Sequence, residues 1–187
     1  MPIIILGGKP GKGAVGLDRE PFIKLSLRLC AISRLVQPGQ VCADIGADHA
    51  QLAIFLVEQK LTPRVIVTDI ARGPFERAKK VVESCPWAHL IDLRQGDGLQ
   101  PLKPGEADTV IIAGLGGDAI AGILRSDWEK SESFKQYIMQ PMSRAWVLRH
   151  TLAARGWPIL SEQVIREERR FFQVIEAAPG ENPYILS

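Results

Sequence analysis

The order of apolar runs predicts an α/β fold in which five β/α units build a doubly wound, mostly parallel sheet and a C-terminal β-hairpin completes it. Three observations carry this. Strand-length runs alternate with helical patterns between residues 40 and 155, as in a sheet covered by helices on both faces. The run at 107–113 is almost continuously apolar, which suits a parallel strand buried on both sides. The extended runs 158–166 and 170–177 are separated by only a few charged residues. That spacing makes a hairpin, so the sheet should end with an antiparallel strand.

The elements follow in order. Leu25, Leu29, Ile32 and Val36 recur at spacings of three and four, which predicts a helix over 21–36 with one core-facing stripe. Pro38-Gly39 closes it. Residues 40–45 form a strand ending in Asp44, Gly46 supplies the turn, and a helix runs from about 49 to 59. A second strand, 64–69, ends in Asp69. Gly73-Pro74 opens a helix at 75–84, where proline is tolerated in the first turn. The third strand, 90–94, is closed by Gln95-Gly-Asp-Gly98. The fourth, 107–113, runs into Gly114-Leu-Gly-Gly117 and a helix at 118–125. Strand 137–140 and a helix at 143–155, stopped by Gly156, complete the alternating units. With the hairpin the fold is Rossmann-like, with seven strands. The common NAD-binding form would carry a sixth parallel strand where the hairpin stands.

At 187 residues the chain is expected to form a single domain over 21–187, preceded by a flexible N-terminal arm at 1–20. The arm contains Gly7-Gly-Lys-Pro-Gly-Lys-Gly13, which resembles a phosphate-binding loop but lacks its first glycine and the Ser or Thr after Lys12. No apolar run approaches the length of a membrane span, and no secretory leader pattern opens the chain, so a cytoplasmic protein is expected. Cys30, Cys42 and Cys85 are widely spaced and form no Cys-x-x-Cys pair, which predicts reduced, buried thiols and no metal site. A net charge of +2 does not announce a nucleic-acid binder, although the distribution of charge matters more than its sum. The six Lys/Arg against three Asp/Glu between Lys60 and Glu83 read as a solvated helix face.

The first four strands all end in polar or glycine residues, and parallel strands bring those ends to one edge of the sheet. The set is Asp44 with Gly46, then Asp69, then Asp97, then Gly114 to Gly117. Asp69 lies 25 residues after Asp44, near the spacing at which a second-strand acid accepts from ribose hydroxyls. Asp97 is placed to accept from the exocyclic amine of a purine. Together these predict a nucleoside site. The dinucleotide fingerprint, however, is incomplete: Asp48 stands where its second glycine would meet a pyrophosphate. A carboxylate repels phosphates and attracts a sulfonium or an amino group. S-adenosyl-L-methionine carries both, which favours a methyl donor over NAD.

The combination Leu25-Ser-Leu-Arg-Leu29, Asp44-Ile-Gly-Ala-Asp-His-Ala50, Gly73-Pro74, Gly96-Asp-Gly-Leu99, Ile112-Ala-Gly-Leu-Gly-Gly117 and Gln140-Pro141 resembles the bacterial tRNA (adenine-22-N1)-methyltransferase family. The resemblance runs from about residue 25 to residue 177. It implies a class I methyltransferase fold with S-adenosyl-L-methionine over the carboxyl edge and tRNA as partner. Asp44, Gly46 and Asp48 would line the methionine end, Asp69 the ribose, and Asp97 with Gly98 the adenine. Ile70, Gly96 and Ala113 join them as cofactor-contacting positions, Gly114 to Gly117 (Gly116 among them) would floor the pocket, and Arg28 on the leading helix would cover it. The family commonly has an aromatic residue where Gln51 stands, an Asn where Met142 stands, and a C-terminal helical extension beyond the hairpin.

Adenine N1 already carries a lone pair, so methyl transfer to it needs positioning more than a strong base. A carboxylate, Asp48 or Asp118, could stabilise the cation that forms, and His49 is a polar contact to base or cofactor. A duplex-buried base would have to be flipped out onto an apolar surface. Trp146 and Trp157 are read as core or rim. Two other readings keep the cofactor site: a related methyltransferase with a different substrate, and a catalytically silent cofactor- or RNA-binding module. Oligomeric state is not legible.

Overall fold

A computed structural model describes residues 4–6 and 21–180. Eight strands form one sheet in the order β1-β7-β8-β6-β5-β2-β3-β4. They are β1 (Ile4–Leu6), β2 (Cys42–Ile45), β3 (Val65–Asp69), β4 (Ile91–Gln95), β5 (Thr109–Leu115), β6 (Gln136–Pro141), β7 (Ile159–Glu167) and β8 (Arg170–Ala177). Strands β2 to β6 are mutually parallel; β8 inserts antiparallel between β6 and β7. The seven expected strands are present in the expected sense. The three-residue β1 adds a parallel edge to β7, so this part of the predicted arm belongs to the sheet. The glycine-rich stretch 7–13 lies outside the described residues.

Residues alternate between two cores with the period of two that a pleated strand imposes. Cys42, Val65, Val67, Ile111 and Ile138 face α1 (Leu27–Leu35), α2 (Gln51–Glu58) and α3 (Arg72–Glu83), against Ile32, Leu52, Leu56, Ala78 and Val82. Ala43, Ile45, Ile66, Val110, Ile112, Tyr137 and Met139 face α4 (Gly117–Ser126) and α6 (Ala145–Arg155), against Ile120, Leu124, Leu148 and Leu152. Asp44 continues the Cys42 row, so its side chain stands on the α1–α2 side. The order of strands reverses at β2, which pairs with β3 on one side and β5 on the other. This is the switch point at which open α/β sheets bind ligands.

Several helix boundaries differ from those the sequence predicts, and two have a local cause. The first helix begins at Leu27, because Ser26 caps it by accepting from the Leu29 amide at 3.5 Å; Leu25 is buried from the irregular segment before it. The last helix begins at Ala145, because Arg144 holds a left-handed φ of 51°. A short helix, α5 (Trp128–Glu132), has no counterpart among the predicted elements. Asp127 caps it by accepting from the Lys130 amide at 2.9 Å, and the Trp128 ring packs on Trp157 at 5.6 Å. Of the cysteines, Cys42 and Cys85 are buried, Cys30 is half-buried, and all three are free thiols.

Candidate active site at the carboxyl edge

A cleft of about 400 Å³ opens above the ends of β2 and β5, lined by Arg28, Leu29, Asp44, Gly46, Ala47, His49, Gln51, Leu52, Ala113, Gly114 and Leu115. Its size is that of a small-molecule site. Six of the residues predicted from sequence therefore meet in one place: Arg28, Asp44, Gly46, His49, Ala113 and Gly114.

The turn after β2 shapes the floor. Gly46 has φ +70°, a conformation open to glycine at no steric cost, and its amide donates to the Thr68 carbonyl at 2.7 Å. The chain then enters a 3-10 turn at Asp48–Ala50 in which His49 (φ 67°) and Ala50 (φ 51°) are both left-handed. The expected regular helix start at 49 is thus displaced to Gln51. Two consecutive non-glycine residues in this region cost about 1–2 kcal/mol each, and such strain is typical of a binding turn. His49 is turned to line the cleft. Asp48 opens the same turn; its side chain lies outside the described part of the structure.

Asp44 is 4% exposed, and burial alone pushes its carboxyl up to about 7. Among the described residues no group donates a hydrogen bond to it. A buried acid of this kind is costly unless a cation meets it, and it faces the cleft. On the same cleft Arg28 Nη1 donates to Gln140 Oε1 at 3.0 Å, and its guanidinium lies 5.8 Å from the Phe172 ring centroid. Gln140 is fully buried and also donates from Nε2 to the Pro141 carbonyl at 3.2 Å. It holds Arg28 from 112 residues away in the chain, a contact that no local sequence pattern signals. A carboxylate with no donor among the described residues and a guanidinium tethered by Gln140 thus line one cleft.

The remaining candidates lie along the same edge. Asp69, 8% exposed, accepts from the Ala71 amide at 2.9 Å through one oxygen, and its carbonyl accepts from the Gly96 amide at 3.0 Å. Ile70 projects beside it, 62% exposed. Gly96 is required by packing, since a Cβ there would lie 2.4 Å from Pro101 Cγ. Asp97 and Gly98 line a neighbouring recess of about 350 Å³ with Ile123; Leu115 borders both this recess and the cleft. Gly116 precedes α4. Asp118, in the first turn of α4, lines neither space; its carboxylate lies 3.1 Å from Arg144 Nε. No group of three or more His, Cys, Asp or Glu able to hold a metal ion occurs among the described residues. No described helix is long and apolar enough to cross a membrane.

A cleft with a buried acid and a tethered arginine thus lies at the switch point of a sheet that carries an antiparallel hairpin strand. Residues 25–175 match the family model of a methyltransferase domain. The chain is 36% identical over 159 residues to the tRNA (adenine(22)-N(1))-methyltransferase of Bacillus subtilis, covering 85% of this chain and 67% of that protein. The crystal structure of the B. subtilis m1A22 tRNA methyltransferase TrmK superposes with a TM-score of 0.81, covering 85% of this chain and 68% of that one. That of M. capricolum TrmK in complex with S-adenosyl-homocysteine gives 0.78 at 31% identity, covering 87% and 72%. The chain belongs to the bacterial tRNA (adenine-22-N1)-methyltransferase family. It spans about two thirds of the length of the B. subtilis relative.

Proposed function

We propose that this protein is an S-adenosyl-L-methionine-dependent tRNA methyltransferase that methylates N1 of an adenine, the base at position 22, in the cytoplasm. The observation that carries the cofactor assignment is that Asp44 and Arg28 line one cleft. The donor supplies an electrophilic methyl group on a cationic sulfur, with a zwitterionic amino-acid end and a nucleoside end. Asp44 fits the amino group, which compensates its buried charge, and Arg28 fits the carboxylate. Asp69, oriented through Ala71, takes the ribose hydroxyls. Ile70 offers an apolar face to the adenine, and Asp97 accepts from its exocyclic amine.

The chemical step needs little from the protein beyond geometry. The N1 lone pair of the target adenine forms the new bond to carbon as the carbon–sulfur bond breaks, so no proton must leave first. Of the three catalytic candidates, His49 lines the cleft, Asp48 opens the same turn, and Asp118 is offset by Arg144. We therefore assign positioning of the base, and stabilisation of the cation formed on it, to the Asp48–His49 turn.

A second reading is favoured by one observation: Gln51, where the family resemblance implies an aromatic residue, lines the cleft. A changed base pocket would suit a related methyltransferase with a different substrate. Incubation with labelled donor and bulk tRNA, followed by nucleoside mass spectrometry, separates the two. Methylated product other than 1-methyladenosine would favour the second.

A further inference from the structure

An exposed aromatic stands on the same carboxyl edge as the cleft, outside its lining. Trp146 is 62% exposed at the start of α6, and Met142, 46% exposed, lies beside it in the chain after β6. Both therefore stand on the carboxyl edge. The segment is tied directly to the cleft. The Met142 amide donates to the carbonyl of Leu115, a cleft residue, at 2.8 Å, and Met142 Sδ lies 3.4 Å from Gln140 Nε2, whose Oε1 holds Arg28. The Arg144 guanidinium covers one side of the Trp146 ring at 5.6 Å from its centroid, while its Nε is held by Asp118. The ring is thus fixed by a cation rather than by burial. The other three tryptophans are buried or half-buried.

The same edge is basic on its far side. Strand β7 runs parallel to β6, and its pairing with β8 continues to Glu167 and Arg170, past the last β6–β8 partners Met139 and Ile175. The hairpin therefore projects beyond the sheet edge, with Arg166, Arg169 and Arg170 exposed at its tip; Glu168 opposes them there, and Glu167 is engaged with the Leu27 amide at 3.3 Å. An exposed indole backed by a guanidinium, on the same edge as a tip carrying three arginines, matches single-stranded nucleic acid, which offers bases to stack and phosphates to neutralise.

We infer that Trp146, braced by Arg144, is the surface on the carboxyl edge on which a base of the RNA substrate stacks. The inference rests on the methyltransferase reading for its substrate, and its test is separable from that reading. Intrinsic fluorescence of the full chain is titrated with unmodified tRNA, and steady-state methylation is measured in parallel. The wild-type emission should be quenched by tRNA, and Trp146→Phe should lose most of that quench while retaining RNA affinity. Trp146→Ala should raise the KM for tRNA about tenfold or more, with S-adenosylhomocysteine affinity unchanged and Trp146→Phe close to wild type. Equal quenching in wild type and Trp146→Phe, or a wild-type KM in Trp146→Ala, overturns the inference while leaving the enzymatic function intact. Loss of quenching in Trp146→Phe with no 1-methyladenosine from any variant leaves the stacking surface standing and removes the proposed reaction. A concentration-dependent dimer that disappears in Trp146→Ala would instead give this surface to a second copy of the chain.

Discussion

Arg28 Nη1 and Gln140 Oε1 are 3.0 Å apart, joining the first helix, at the cleft lining, to the end of β6. The bond links residues 112 positions apart in the chain, and it decides where the only arginine among the described lining residues of the cleft points. Gln140 is fully buried, so its amide does not rearrange freely.

Gln140→Ala should therefore weaken donor binding without removing any group that meets the donor. A hydrogen bond to a charged group contributes about 1.5–3 kcal/mol, so S-adenosylhomocysteine affinity should fall roughly tenfold or more. Arg28→Ala should cost at least as much. Because the two act through one contact, the double variant should be clearly less than additive. Titration calorimetry on the four proteins measures this, and full additivity would separate the two residues.

Asp44 gives a pH dependence with a definite sign. Burial raises its carboxyl from 3.8 to about 7. A raised acid binds its proton more tightly in the folded state, so its contribution to stability is most favourable at low pH. It declines as pH rises from about 4 through about 7. The free protein carrying Asp44→Asn should thus be more stable than wild type at pH 8, by a few kcal/mol, and differ little at pH 4. Donor binding should run the opposite way. If Asp44 must ionise to meet the donor's amino group, affinity should fall about tenfold per pH unit below 7 and lose this dependence in Asp44→Asn. Thermal melts and titrations over pH 5.5–8.5 read both slopes.

Gly117 is a packing glycine. A Cβ at this position would lie 2.3 Å from the Arg144 carbonyl oxygen, and its amide donates to the Ser143 carbonyl at 2.8 Å. Gly117→Ala must push apart the turn that carries Arg144 and Trp146, at a cost of about 2–3 kcal/mol. Gly122, on the same helix with nothing within 4 Å of its missing Cβ, is the control. Gly122→Ala should be neutral or stabilising by up to about 1 kcal/mol. Denaturant midpoints compare the pair.

The sheet was legible because its signals are local: apolar runs of strand length, Gly or Pro at their ends, and acids placed where parallel strands deliver them to one edge. The same logic located Asp44, Gly46, Asp69 and Gly114 on that edge. What escaped was set by contacts far apart in sequence. Gln140 reads as an ordinary strand residue until Arg28 is seen against it. Asp118 reads as a free acid until Arg144 is beside it. The left-handed pair His49 and Ala50 breaks a helical pattern that composition alone extends unbroken. The helix at Trp128–Glu132 did have a local signal, the Asp127 cap, but five residues show no periodicity. Trp146 and Trp157 are alike in sequence context, yet the first is 62% exposed and the second 1%.

The most direct test uses two tRNA transcripts that differ only at position 22. Incubated with the protein and labelled S-adenosyl-L-methionine, the transcript with adenine at 22 should gain 1-methyladenosine at that position, and its guanine-22 counterpart should gain none. Equal labelling of both transcripts, or donor binding with no 1-methyladenosine in either, would contradict the account.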